Sequence, residues 1–512
     1  MRSMGFCSIL GRKEFPDFES EKIVMPNFFY DLNLDQVVEE ILDKQRLYDL
    51  RKYYFFKPEA EDIPYRIDVL KDMEASKSLF QKIVDFSLAM RKVRKHLDNM
   101  KDSDLEIQRQ KWNLDAAYYY VNVVKKLYSD LEEENLGSEG FQGFFEWLKI
   151  YTTSEPFLRL CNDTERQMQL FHEMKFNIHI MRDRVIIKPG YLEEDYCKQV
   201  LNTFEEESEV DHIYQKNPFG SFALSSLEIA VLELLQKPYA HVFDELAVFH
   251  STHQDYISDV LTRFEEESQF YIAFCLYKNE MQEMNFHFCY PEVQAGEDFY
   301  IRSCYDLALA KKNSLRKKEV IFNDGIYRPG EKFFVVTGPN QGGKTTFARA
   351  LGQSVYLAFM GLMVPCKQAR LPVFDGIYTH FASEESMETG AGKLKEELTR
   401  LNHMMNTVTN HSFVIINEIF TSATSYDAYI MGKKTINYFM DKDCLGVYVT
   451  HIYELTKDDH RIVSLVAALL SEHSNIRTFR IERRPADGKS YANSIVEKYH
   501  MTYEDIKERI KR

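Results

Sequence analysis

Positive charge is in short supply in this chain. Its 64 Lys and Arg are outnumbered by 79 Asp and Glu, a formal net charge of −15 over 512 residues. A globally basic signature is therefore excluded, and any grip on nucleic acid must come from local patches or an assembled interface. Paired cysteines are missing too. The eight cysteines are scattered and none forms a C-x-x-C pair, so neither a zinc knuckle nor a disulfide framework is suggested. Long apolar runs are absent. Met1 to Phe15 carries Arg2, Arg12 and Lys13, unlike a secretory signal, and no stretch approaches a membrane span. A cytoplasmic protein with no membrane partner is expected. There is no internal repeat and no low-complexity tract. What remains is globular: 45% hydrophobic and 28% charged, with room for two or three domains.

One segment carries most of the chemical information. Gly338-Pro339-Asn340-Gln341-Gly342-Gly343-Lys344-Thr345-Thr346 has the phosphate-loop spacing G-x-x-x-x-G-K-[ST]. The apolar run Phe333 to Thr337 leads in, and a helical pattern from Phe347 to Met360 leads out. In that setting glycines let backbone N–H groups close around a phosphate at a helix N-terminus. Lys344 is expected to reach the outer phosphates, and the Thr345 hydroxyl to ligate Mg²⁺.

Two downstream strands offer the rest of a site. Ser412 to Ile416 reads as a buried strand ending in Asn417-Glu418. At such a strand end an Asp normally holds Mg²⁺, and a Glu orients or deprotonates the attacking water. Asn417 is uncharged and should hold the metal less well; Glu418 is intact. Leu445 to Thr450 delivers His451 to the C-terminal end of a further strand, where ligands sit in a parallel sheet. His451 is a candidate sensor of the γ-phosphate, although a lone strand-end histidine is often structural.

With these blocks in order, the sequence resembles the MutS proteins. Gly338 to Thr346, Asn417-Glu418 with Thr421 to Ala428, Val449 to Thr456, and Arg484 to Ala492 are similar to four blocks of the MutS ATPase domain. The resemblance covers roughly residues 295–512. More weakly, residues 166–290 resemble the lever region of a shorter, MutS-related bacterial subfamily that lacks the mismatch-recognition domain. The resemblance implies an α/β P-loop ATPase domain (ABC-like, MutS type) preceded by a mostly α-helical lever and core region. It implies ATP and Mg²⁺ as ligands, with Glu418 and His451 catalytic. Thr345 and Asn417 would serve the metal. In MutS proteins a loop also crosses the dimer to place a serine on the partner's γ-phosphate. Here Thr389-Gly390-Ala391-Gly392-Lys393 has Gly392 at the serine's place, so any contact would come from backbone and Lys393.

Upstream the patterns are helical. Asp31 to Leu50, Ser78 to Met100, a segment capped by Asn113, and Phe141 to Leu160 all carry helical spacing. Phe176, Ile178 and Ile180, then Val185 and Ile187, alternate around Arg182-Asp183 as a hairpin. Helices are expected again over Glu193 to Glu207 and Ser225 to Met284. The domains expected are 1–165, helical; 166–294, lever with hairpin; and 295–512, ATPase. The runs Glu205-Glu206-Glu207 and Glu265-Glu266-Glu267 read as exposed helix surface. The clusters Arg91 to Lys95 and Lys311 to Lys318 read as solvated faces that could also meet phosphates. Phe144-Phe145-Glu146 echoes the Phe-x-Glu wedge of mismatch readers but lies in an ordinary amphipathic helix.

These readings imply a MutS-like, ATP-dependent DNA-binding protein that hydrolyses ATP slowly as a homodimer. It would grip DNA by backbone and shape without reading a mismatch directly, and act with repair or recombination partners. The alternative is a non-hydrolysing or very slow ATP-switch clamp or scaffold. A transporter ATPase is disfavoured because the Leu-Ser-Gly-Gly-Gln signature is missing.

Overall fold

The computed structural model describes residues 6–13, 24–181, 184–190, 226–294, 296, 298–382, 392–457, 459–470, 476–486 and 503–511. Its contacts divide the chain into two compact units. The first holds 1–6, 75–136 and 141–265; the second holds 7–74, 137–140 and 266–512. This division does not follow the boundaries 165 and 294 expected from sequence. The physical reason is that residues 7–74 bury their apolar groups against later parts of the chain, as described below.

The first unit is mostly helical. The helix Lys77–Asp102 starts where the Ser76 hydroxyl accepts the Leu79 N–H at 3.0 Å. It pairs with Glu106–Glu132. Asn113 does not cap that helix. It lies within it, fully buried, and its amide donates to the His253 carbonyl at 2.8 Å. The expected helix over 141–160 is two helices, Glu139–Thr152 and Glu155–Glu173, with Pro156 in the first turn of the second. Phe144 is buried and stacked on Phe264, with ring centroids 3.5 Å apart, so it is core and not an exposed wedge. The hairpin forms as expected, β1 (Phe176–Met181) against β2 (Arg184–Pro189). The long helical stretch breaks into Ser226–Gln236 and Ala240–Thr252, both in this unit, and Asp259–Glu283, which belongs to the second unit from Glu266 on. Pro238 interrupts it first, since proline cannot continue the hydrogen-bond ladder. The stretch Glu193 to Glu207 lies outside the described residues.

In the second unit a six-stranded sheet runs in the order β12-β11-β6-β10-β9-β8. These are β6 (Phe333–Thr337), β8 (Gly376–Phe381), β9 (Ser412–Asn417), β10 (Leu445–Val449), β11 (Ile462–Leu469) and β12 (Arg477–Arg483). All pairings are parallel except β11 with β12, an antiparallel edge. Every residue of β6, β9 and β10 is buried, as parallel strands covered on both faces require. A second sheet orders β3 (Glu292–Gln294), β7 (Gln368–Pro372), β4 (Tyr300–Cys304) and β5 (Asn323–Ile326).

The helix Lys344–Phe359 lies between the large sheet and the N-terminal segment. A Cβ on Gly352 would stand 2.7 Å from both Ile415 of β9 and Leu32. Arg349 donates to the Asp31 carbonyl at 2.8 Å, Gln353 to that of Leu32 at 2.8 Å, and Tyr356 to that of Tyr54 at 2.8 Å. Buried Arg66 donates to the Leu10 and Met360 carbonyls at 2.6 and 3.4 Å. The expected single helix over 31–50 is interrupted because Asn33 takes a left-handed conformation, φ 55°.

The acidic run at 265–267 is not an exposed face. Glu265 is fully buried and paired with Arg94. Glu267 is buried and accepts from the Ser8 hydroxyl at 2.7 Å and the Ile9 N–H at 2.9 Å. Only Glu266 stays near the surface, 3.0 Å from Lys52. Buried carboxylates persist when paired and hydrogen-bonded, and these partners lie far away in sequence. Arg94 and Lys311, read as members of solvated clusters, are likewise committed to internal pairs, the latter with Glu280.

Candidate functional site

Three residues of the loop between β6 and the helix Lys344–Phe359 are left-handed: Gly338 at φ 116°, Gln341 at φ 59° and Gly343 at φ 96°. A side chain on Gly338 would also meet the Ala467 backbone at 3.0 Å, so glycine is demanded twice over. Gln341 adopts the same region without that freedom, a strain of about 1–3 kcal/mol concentrated at this loop.

The loop curls around a lysine. Lys344 is 4% exposed, and its Nζ donates to the carbonyls of Gly338 at 3.0 Å and Pro339 at 3.2 Å. Its Nζ stands 3.8 Å from Glu418 Oε1. Burial lowers the Lys344 pKa from the ordinary lysine value, and Glu418 opposes that shift. Next in sequence, the Thr345 hydroxyl donates to Asn417 Oδ1 at 2.9 Å.

The strand order explains how distant residues meet. β10 lies between β6 and β9, so the ends of β9 and β10 arrive side by side at the loop. The Glu418 N–H donates to the Val449 carbonyl at 2.9 Å, turning the chain at the end of β9. His451 Nε2 then stands 3.1 Å from Glu418 Oε1. That hydrogen bond, with further help from Lys344, holds the Glu418 carboxyl below its ordinary pKa despite partial burial. Glu418 and Phe420 are both left-handed, φ 52° and 64°. The Phe420 N–H donates to the buried carboxylate of Glu397 at 3.0 Å, which pins this turn to the helix Lys393–Thr407.

The assembled groups open onto a cavity of about 850 Å³. Gln341 to Thr346 and Glu418 line its polar side, and Val320, Ile321, Leu470, Ile476 and Phe479 supply apolar walls. Arg477 lines it as well, and its Nε donates to the Asn340 carbonyl at 2.7 Å. Phe479 is left-handed, φ 58°, and Asn323 clasps it from both sides. Asn323 donates to the Phe479 carbonyl at 3.1 Å and accepts the Ile481 N–H at 2.7 Å.

The structure thus brings Lys344, Thr345, Asn417, Glu418 and His451 together. It does not bring Gly392 to this cavity. Gly392 is an exposed helix start, accepting the Lys395 N–H at 2.8 Å, beside Leu394, Leu398 and Ser422. On the helix that follows, Leu398 is 42% exposed, while Leu401 and Met404 are buried. Thr389 to Ala391, and Asp487 to Ala492 of the last block, lie outside the described residues. Sequence reasoning missed Glu397, Asn323, Arg477 and Phe479. Their only signal was type, since nothing local marks a carboxylate that ties down a turn, or a non-glycine left-handed residue.

The class defined so far is a mixed helical and α/β protein with a strand–loop–helix site at the carboxyl end of a mainly parallel sheet. Residues 334–503 match the family described as MutS domain V. The DNA mismatch repair protein MutS of Clostridium kluyveri (strain NBRC 12016) is 22% identical over 467 residues, 87% of this chain and 48% of that protein. MutS of Streptococcus equi subsp. equi is 31% identical over 180 residues, 34% of this chain and 21% of that protein. The mismatch repair protein MSH3 of Arabidopsis thaliana is 31% identical over 137 residues, 26% of this chain and 13% of that protein. The chain spans about half the length, or less, of these curated relatives. The chain is therefore similar to MutS proteins, most specifically over residues 334–503, where it matches their domain V. Among the described residues no helix is long and apolar enough to cross a membrane.

Proposed function

We propose that this chain binds Mg²⁺–ATP at residues 338–346, hydrolyses it slowly, and uses the nucleotide to modulate a dimer's grip on DNA. The observation that carries the reading is one convergence. Lys344, Thr345 and Glu418 line one cavity, where Asn417 bonds Thr345 at 2.9 Å and His451 bonds Glu418 at 3.1 Å.

Lys344 is held by two carbonyls that a phosphate's oxygens would replace, so its charge is ready for an outer phosphate. Backbone N–H groups at the start of the helix Lys344–Phe359 add to that attraction. Glu418 is ionised and can orient a water toward the γ-phosphorus and accept its proton. His451 holds that carboxylate in place. The donor set at Thr345 and Asn417 consists of two oxygens that already meet, which fits a hard divalent cation that keeps several waters. Bound there, Mg²⁺ would neutralise charge on the phosphates. Because Asn417 is neutral, retention should be weak and turnover slow. The same residue favours the second reading, a switch that binds ATP with little or no hydrolysis.

The relatives' names place them in mismatch repair, and from them we infer DNA as partner. Phe144 is core here, so the grip is assigned to shape and backbone charge, without a wedge at a base step. Gly392 is the candidate to reach a partner's nucleotide in an isologous dimer. The test is a binding panel of homoduplex, mismatch, four-way junction and single strand at stated salt, with and without ATP. ATP-modulated, salt-sensitive affinity with little mismatch preference is expected. Strong mismatch selectivity would refute the shape-and-charge grip, and no affinity for any DNA would leave the switch or scaffold.

A further inference from the structure

Two thiols in the second unit face each other and take no part in the loop site. Cys289 follows the helix Asp259–Glu283, and Cys366 follows the helix Lys344–Phe359 and the turn after it. The backbone joins the two segments. The Cys289 N–H donates to the Val364 carbonyl at 3.1 Å, and the Val364 N–H donates back at 2.9 Å. Cys366 lies two residues beyond Val364, and its sulfur stands 3.5 Å from that of Cys289. Cys289 is half-buried and so reachable; Cys366 is fully buried behind it.

Their surroundings differ in a way that assigns roles. Cys289 and Cys366 share one S–H···S contact in which either can be the donor; that contact and the Ala369 N–H lower the Cys289 pKa. Cys366 is pushed up by that same contact and by burial. Cys289, the less buried of the two, is the sulfur an oxidant from solvent meets first, and thiolate is its reactive form. Cys304, also fully buried, donates to the Asn323 carbonyl at 3.1 Å and is engaged elsewhere.

We propose that Cys289 and Cys366 form a peroxide-responsive dithiol that closes to a reversible disulfide. The Cys289 thiolate attacks one oxygen of hydrogen peroxide, the O–O bond breaks, and with one proton taken up the products are a sulfenic acid and water. Cys366 then attacks the Cys289 sulfur, losing its proton, and the S–O bond breaks to release the oxygen as a second water. Two thiols are oxidised by two electrons and one peroxide is reduced to two waters. The sulfurs must close from 3.5 Å to the roughly 2.05 Å of a disulfide. The bond would tie the segment leaving the helix Asp259–Glu283 to the segment leaving the loop-following helix. In reducing compartments such disulfides are transient and redox-sensing.

The experiment uses the full chain. It is treated with dilute hydrogen peroxide, blocked with an alkylating agent under denaturing conditions, digested and read by mass spectrometry. The expected result is a Cys289 peptide linked to a Cys366 peptide, lost on treatment with dithiothreitol. Cys289→Ser should leave Cys366 as free thiol under the same treatment. Cys366→Ala should strand Cys289 as a sulfenic acid that a 1,3-diketone probe captures. The wild-type cross-link decides the matter even where that core variant fails to fold. Full alkylation of both cysteines after a peroxide dose that oxidises exposed thiols overturns the proposal. So does a Cys289 cross-link to any other cysteine.

Discussion

Glu418 and Asn417 are adjacent in sequence and opposite in character. Glu418 is ionised below the usual carboxylate range because His451 bonds it and Lys344 stands near. A depressed folded pKa contributes stability above the unfolded value, about 4.5, and loses it as pH falls through the lower folded value. The same sign applies to turnover, whose acid limb from this group should lie below about pH 4.5, so between about pH 6 and 8 Glu418 should impose no titration. Glu418→Gln should retain ATP binding and lower kcat by about 100-fold or more, in line with loss of a general base. A steady-state assay beside a nucleotide-binding titration separates the two effects, and normal hydrolysis by the variant would remove Glu418 from the role. Asn417 is a matter of charge. Asn417→Asp adds a carboxylate beside the Thr345 hydroxyl, 2.9 Å from the present amide oxygen. The Mg²⁺ concentration that half-saturates ATP binding should fall by about tenfold, roughly 1.4 kcal/mol, as for one added charge-assisted contact. An unchanged Mg²⁺ dependence would place the metal elsewhere.

At the scale of elements, legibility follows from how local the cause is. The phosphate-loop spacing, the strands β6, β9 and β10, and the hairpin were legible because spacing and burial pattern act within a few residues. Helix limits were less so. Asn113 has the type of a cap but spends its amide on His253 across the unit. Glu265 and Glu267 read as surface until Arg94 and Ser8 arrive from far away in sequence. The pinning of the Glu418–Phe420 turn by Glu397 was invisible for the same reason. The largest such case is the N-terminal segment, whose Leu32 is fully buried against Gly352 and whose carbonyl accepts from Gln353. Its contribution can be measured. Leu32→Ala should cost about 2–5 kcal/mol of stability, as expected for a large-to-small change in a core. Denaturant titration reads the cost directly, and a loss under about 0.5 kcal/mol, the scale of a surface substitution, would show the segment to be peripheral.

For the whole molecule, the excess of acidic over basic residues argues against indiscriminate binding of nucleic acid. A grip on DNA would then depend on state, and the state proposed here is nucleotide bound at the loop after β6. The sheet order delivers the ends of β9 and β10 to the loop after β6, and the N-terminal segment backs the helix that follows. Everything proposed about DNA and dimerisation rests on nucleotide occupying that cavity. The most direct test is equilibrium binding of ATP, with Mg²⁺ present, to the wild-type chain and to Lys344→Ala. Removing the one ammonium in the loop should weaken binding by about 100-fold or more, about 2.7 kcal/mol, the scale of lost charge-assisted contacts. Equal affinity in the two proteins would contradict the account, because ATP would then be bound without the lysine around which the loop is folded.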